Sequence, residues 1–265
     1  MEISPSNKKG YVLRGGKRVS SVCDLLKLSI SEFEEVFKYY YKRQYVEDDD
    51  TEISLFFVRM REWFTDYPSA SVSQKNIISS YLEKTKECKG RNSWVTHVSY
   101  PRVYRGISRS VEDIRRVKLS STTIDSYILG TVIYNPKHRV QSWTRDRERA
   151  FLFRGSDPSV DWIGSLQWIM SFKPSAEEVI FGSQFTELVS PMPSEREVVI
   201  SIPDTKKVTV AINLAILFAL DDSMLVPKRF RGKTLEDTVG KENAEMIRSS
   251  KWYRNHFNIT TKNKP

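Results

Sequence analysis

Along the N-terminal third of the chain, apolar side chains return every three or four positions, the period of a helix with one buried face. Ser29 and Ser31 offer caps, Glu32, Glu34 and Glu35 supply early acids, and Phe33, Phe37 and Tyr40 share a face, which predicts a first helix. The acids of Asp48-Asp49-Asp50-Thr51-Glu52 suit the positive end of a second, Ile53 to Phe64. Tyr67-Pro68-Ser69 breaks it, and Val72 to Glu87 predicts a third. Lys89-Gly90-Arg91-Asn92-Ser93 has the composition of a linker.

Beyond Ser93 the period shortens to alternating, β-rich runs separated by turns. Strands are predicted near Val103–Ile107, Ser126–Tyr134, Val140–Thr144, Ser165–Phe172, Val179–Phe181, Glu197–Ile202 and Lys207–Ile212. A short helix is expected after Thr144, where Asp146 and Glu148 precede the run Ala150-Phe151-Leu152-Phe153. Many strands with few helices between them argue against a parallel doubly wound sheet, whose strands need helical crossovers. The expected class is α+β. A helical N-terminal subdomain is expected over residues 1–92, and a second domain over 93–265 that ends beyond Leu214 in a basic, partly helical tail.

Composition narrows the picture. With 39% hydrophobic residues, a chain of 265 can bury a sizeable core. No apolar run approaches the ~20 residues needed to span a bilayer, and MEISPSNKKG lacks the apolar stretch of a secretory leader. Cys23 and Cys88 stand far apart and outside any C-x-x-C pattern, which argues against a disulfide framework or a zinc site and fits a reducing compartment. The expected location is the cytoplasm. His97, His138 and His256 show no metal-ligand spacing, and no glycine-rich phosphate loop is present. The net charge of +9 would favour acidic proteins or nucleic acid as neighbours, but basic charge spread over a whole chain is more often just a soluble surface.

The chemistry-bearing residues lie in the β-rich part. Glu195-Arg196-Glu197 runs straight into Val198-Val199-Ile200, with Tyr104-Arg105-Gly106 and Ser142-Trp143-Thr144 upstream in that order. Alternate side chains of a strand share a face, so Glu195 and Glu197 are expected to point the same way, roughly 7 Å apart along the strand. Ser142 and Thr144 likewise share a face while Trp143 takes the other. A fixed carboxylate stabilises the positive charge that grows on a ribose as its glycosidic bond breaks. A planar guanidinium binds phosphate in two-pronged fashion.

Taken together and in order, these motifs resemble the mono-ADP-ribosyltransferases of the Arg, Ser-x-Thr/Ser, Glu-x-Glu type. That family includes clostridial binary toxins, vertebrate arginine ADP-ribosyltransferases and enzymes of large tailed bacteriophages. The resemblance covers about Tyr100 to Asn213. It implies a core of two packed antiparallel sheets with a helical layer, NAD as the ADP-ribose donor and no metal. Arg105 would clamp the NAD phosphates, and Gly106 would let backbone approach the nicotinamide. Ser142 would orient the catalytic Glu and the ribose, and Thr144 would support the strand. Glu197 would be the catalytic carboxylate. Glu195 would hold an acceptor arginine and take its proton, because in the family Glu at this position accompanies arginine modification and Gln other acceptors. Phe153-Arg154-Gly155 matches the family's nicotinamide- and phosphate-contacting loop. Gly182 to Ser194 reads as its substrate-recognition loop, with Phe185 and Met192 suited to face a protein partner and Phe185 equally suited to the core.

Within the family, a basic single chain with no secretory leader looks most like the bacteriophage enzymes that modify host transcription and translation proteins. The expected partners are host RNA polymerase or ribosomal proteins, with RNA-linked NAD an alternative donor. Two other functions compete. One is a basic binding protein for nucleic acid or a host complex, using Lys228-Arg229-Phe230-Arg231 and Lys251-Trp252-Tyr253-Arg254. The other is an NAD glycohydrolase, for which Glu197 would matter and Glu195 would not.

Overall fold

The computed structural model describes residues 10–42, 51–67, 69–98, 101–152, 165–191, 195–202, 204–214 and 234–255. In chain order the elements are β1 (Tyr11–Val12), β2 (Arg18–Val19), α1 (Val22–Leu25), α2 (Ile30–Lys42), α3 (Glu52–Thr65), α4 (Val72–Lys84), α5 (Ser93–Thr96), β3 (Val103–Ser110), β4 (Lys118–Ile124), β5 (Tyr127–Tyr134) and β6 (Val140–Thr144). They continue with α6 (Arg147–Leu152), β7 (Ser165–Phe172), β8 (Val179–Phe181), α7 (Ser183–Val189), β9 (Glu197–Ser201), β10 (Lys206–Asn213), α8 (Leu235–Val239) and α9 (Lys241–Ser249). The class is α+β with antiparallel pairing.

Two compact units interleave along the chain. The first takes Met1–Pro101, Lys137–Arg145 and Pro174–Pro203; the second takes Arg102–Pro136, Asp146–Lys173 and Asp204–Pro265. The helical segment 1–92 therefore shares its unit with β6, β8, α7 and β9. Of the linker-like residues, Lys89, Gly90 and Ser93 are exposed, while Arg91 and Asn92 are tied into that unit. Asn92 N–H donates to the Leu26 carbonyl at 2.8 Å, and half-buried Arg91 donates from Nη1 to the Ile180 carbonyl at 2.9 Å.

The helices of the first unit begin where side chains satisfy their open N–H groups. Ser21 with Asp24 and Ser71 with Gln74 form reciprocal capping boxes, and Thr51 accepts from Ser54 N–H. Each helix turns one apolar stripe inward: Phe33 and Val36 from α2, Ile53, Phe56, Met60 and Trp63 from α3, Ile78 and Leu82 from α4. These meet Val140, Ile180, Phe181, Phe185 and Val199 in one aromatic-rich core. The Phe181 and Phe185 rings stack at 4.5 Å, and the Phe33 ring lies edge-on to Phe185 at 5.3 Å and to Trp94 at 5.2 Å. Burying one such ring contributes about 1.5–3 kcal/mol.

Cys23 and Cys88 do not stay unpaired. They form a disulfide across a sequence separation of 65, with Cα atoms 5.0 Å apart. Sequence spacing gave no sign of it, because the bridge joins α1 to the segment after α4, residues that only the tertiary fold brings together. The inference of a reducing compartment from lone cysteines falls with it.

The strands of the first unit run in the order β6-β9-β8, all antiparallel. Helix α4 braces them. Glu83 Oε1 accepts from Ser201 Oγ at 2.7 Å and from Arg139 Nε at 2.8 Å, tying the far end of β9 to the entry of β6. Gly182 makes the turn from β8 into α7 by close approach: its N–H donates to the Val95 carbonyl at 2.8 Å, and a Cβ there would meet the His97 carbonyl oxygen at 2.0 Å.

The second unit is built on the order β4-β5-β10-β7-β3. Its longest ladders run Val103↔Phe172 through Ser110↔Ser165 between β3 and β7, and Lys206↔Tyr134 through Asn213↔Tyr127 between β10 and β5. Strand β4 was not expected. Only Leu119 of its seven residues is buried, so its sequence carries no apolar alternation, and it pairs with β5 through a register shift. Helices α8 and α9 are joined to the turn before β4: Asn243 Nδ2 donates to the carbonyls of Ile114 (2.8 Å) and Val117 (3.1 Å), and Arg115 Nε to that of Thr238 (3.0 Å). Among the described residues no helix is long and apolar enough to cross a membrane.

Candidate functional site

In the first unit, β6 and β9 bring the Ser-x-Thr and Glu-x-Glu motifs side by side. The antiparallel register sets Thr144 opposite Glu197 and Ser142 opposite Val199. Directly opposed side chains share a face, so Ser142, Thr144 and Glu197 project to the same side. Trp143, opposite Val198, takes the other side and is buried.

Glu197 opens β9 and is buried, with 7% of its surface exposed. A buried carboxylate is costly unless hydrogen-bonded. The indole of Trp63, on α3, meets that need: Nε1–H donates to Glu197 Oε1 at 2.7 Å. The backbone is fixed as well, since the buried Thr186 hydroxyl on α7 donates to the Glu197 carbonyl. Three elements besides β9 therefore set its position: α3 at the carboxylate, α7 at the carbonyl and β6 along the ladder.

Glu195 is placed differently from the strand alternation expected of it. Strand β9 begins only at Glu197, and Arg196 adopts the left-handed conformation with φ of 50°. The strict two-residue repeat therefore does not run back to Glu195, and the shared face inferred from alternation does not follow. A left-handed non-glycine residue is uncommon and costs about 1 kcal/mol or more. The neighbours hold it there. Thr144 Oγ1 donates to the Glu195 carbonyl at 2.8 Å, and Arg145 N–H donates to the Arg196 carbonyl at 3.2 Å. Arg145 is anchored in turn by an ion pair with Glu187 of α7 at 2.9 Å. Glu195 itself is half-buried and Arg196 exposed.

Of the two readings of Phe185, the structure takes the core: rather than facing a partner from a loop, it lies on α7 and is fully buried among Phe33, Phe56, Trp94 and Phe181. Its apolar neighbours on a helical face explain the difference, and it holds α7 rather than contacting a substrate. Met192 falls outside the described residues, as do Phe153, Arg154 and the Lys228–Arg231 patch.

Arg105 and Gly106 lie in the second unit on β3, opposite Met170 and Ile169 of β7. Arg102, three residues earlier, donates from Nη1 to Ser171 Oγ at 3.4 Å. Among the described residues no cluster of His, Cys, Asp or Glu has the makings of a metal site.

Sequence reasoning missed Trp63, Thr186 and Arg145. Trp63 reads as one more apolar position of the α3 stripe, and its contact with Glu197 spans 134 residues. Comparison with known proteins finds no family model that matches the chain, no similar characterised protein and no similar solved structure.

Proposed function

We propose that this protein transfers ADP-ribose from NAD to arginine side chains of other proteins, on an ADP-ribosyltransferase-like core. One observation carries the reading: a buried, hydrogen-bonded carboxylate, Glu197, lies directly across a strand pair from the Ser142–Thr144 motif. As the bond from ribose to nicotinamide breaks, its electron pair leaves with nicotinamide and positive charge develops on the ribose. Glu197, accepting from the ribose 2′-hydroxyl, stabilises that charge more than the ground state. Ser142 orients the ribose.

A guanidinium is protonated at any working pH and is a poor nucleophile in that form. Glu195 takes a proton from the acceptor arginine as its nitrogen bonds to the ribose carbon. The proposed acceptors are host RNA polymerase or ribosomal proteins in a host-cell cytoplasm, in keeping with the basic charge of +9. RNA-linked NAD is an alternative donor. That location now rests on the resemblance to phage enzymes, because the Cys23–Cys88 disulfide removes the cysteine argument. The test is incubation of the protein with NAD labelled in the adenylate part and a bacterial lysate. Discrete labelled protein bands, lost on treatment that cleaves arginine-linked ADP-ribose, are expected. No label in protein and no nicotinamide release would refute the reading.

A further inference from the structure

The contact between Trp63 and Glu197 gives the N-terminal helical segment a task. We propose that Trp63 is a positioning residue for the catalytic carboxylate, so that α3 is part of the catalytic apparatus rather than only a piece of the core. The inference rests on the reading of Glu197 as the group that stabilises the ribose cation.

Three features support it. The bond is short for an N–H···O pair, 2.7 Å, as expected when the acceptor is charged. The indole N–H is donor only and cannot exchange a proton with substrate, so any effect it has must pass through Glu197. Trp63 is also itself immobilised: it is 4% exposed, its ring lies 4.3 Å from that of Tyr67, and the Tyr67 hydroxyl is 3.0 Å from Ser79 Oγ on α4. A packed donor, fixed by its own neighbours, holds a carboxylate in one orientation before substrate arrives. Electrostatic stabilisation of a transition state needs such preorganisation. A glutamate side chain left to itself would sample several rotamers.

The test uses the full chain and Trp63→Phe, which keeps the aromatic body and removes the N–H. Losing one hydrogen bond to a charged group is expected to lower kcat for nicotinamide release by about 10- to 100-fold, with the KM for NAD nearly unchanged and the melting temperature lowered by several degrees, because a buried carboxylate loses a partner. In a Glu197→Gln background the same substitution should add little, because Trp63 acts through the carboxylate. A second readout needs no activity: among the indole N–H resonances of the 6 tryptophans, the one missing from Trp63→Phe should move upfield in Glu197→Gln. If Trp63→Phe does not fold, Trp63→Tyr supplies the assignment. Wild-type kcat in folded Trp63→Phe, an equal loss in both backgrounds, or an unmoved indole resonance would overturn the proposal. A wild-type protein that releases no nicotinamide while the resonance still moves would instead refute the functional reading and leave the contact standing.

Discussion

Glu197 and Glu195 stand two residues apart in surroundings of opposite kind. Glu197 is the first residue of a strand paired on both sides, buried, and tied at its carboxylate by Trp63 and at its carbonyl by Thr186. Glu195 precedes a left-handed Arg196, is half-buried, and is tied through its backbone to Thr144. The first setting suits a group that must be in place before the reaction begins. The second suits a group that meets an incoming side chain. The difference teaches that a Glu-x-Glu motif need not be one continuous strand, and that the two carboxylates can be separated by experiment.

The largest expected effect comes from breaking the side that holds Glu197. Phe185→Ala would leave a cavity among packed rings and cost about 3–5 kcal/mol of stability, read from urea unfolding. Glu195→Ala in the same assay should change stability by only about 0.5 kcal/mol. Equal losses would erase the contrast between the two regions. Next in size, Glu197→Gln should lower both nicotinamide release and transfer by about 10²–10³ while the protein stays folded. Near-wild-type turnover would remove Glu197 from the chemistry. Smaller still, Thr144→Val removes the hydroxyl that holds the Glu195 carbonyl and should cost about 0.5–1.5 kcal/mol. Its activity loss should fall more on transfer than on NAD hydrolysis. A loss confined to hydrolysis would contradict the placement of Thr144 as a brace for Glu195.

Where local sequence decides structure, the pattern was readable. Strands Val140–Thr144, Ser165–Phe172 and Val179–Phe181 fall as expected, and the helices Glu52–Thr65 and Val72–Lys84 begin at or within one residue of the predicted starts Ile53 and Val72. Each is a run whose apolar period matches its element. Strand β4 was hidden because an edge strand with one buried residue has no period to show. Much of the site was hidden for another reason. The Trp63–Glu197 bond and the Cys23–Cys88 bridge depend on tertiary packing across 134 and 65 residues, which composition and spacing do not carry. The left-handed Arg196 was equally invisible, since nothing in the residue type favours it. The order of the three motifs was legible; how firmly each carboxylate is held was not.

The division of labour between the carboxylates is tested most directly by Glu195→Gln, with nicotinamide release and label transfer to protein measured in the same reaction. If Glu195 prepares the arginine nucleophile while Glu197 stabilises the ribose cation, the variant loses transfer and keeps much of its slow NAD hydrolysis, because water needs less help than a guanidinium: it is neutral, attacks with a free lone pair and gives its proton to solvent afterwards. Equal loss of both activities, or unimpaired arginine modification, would contradict the account.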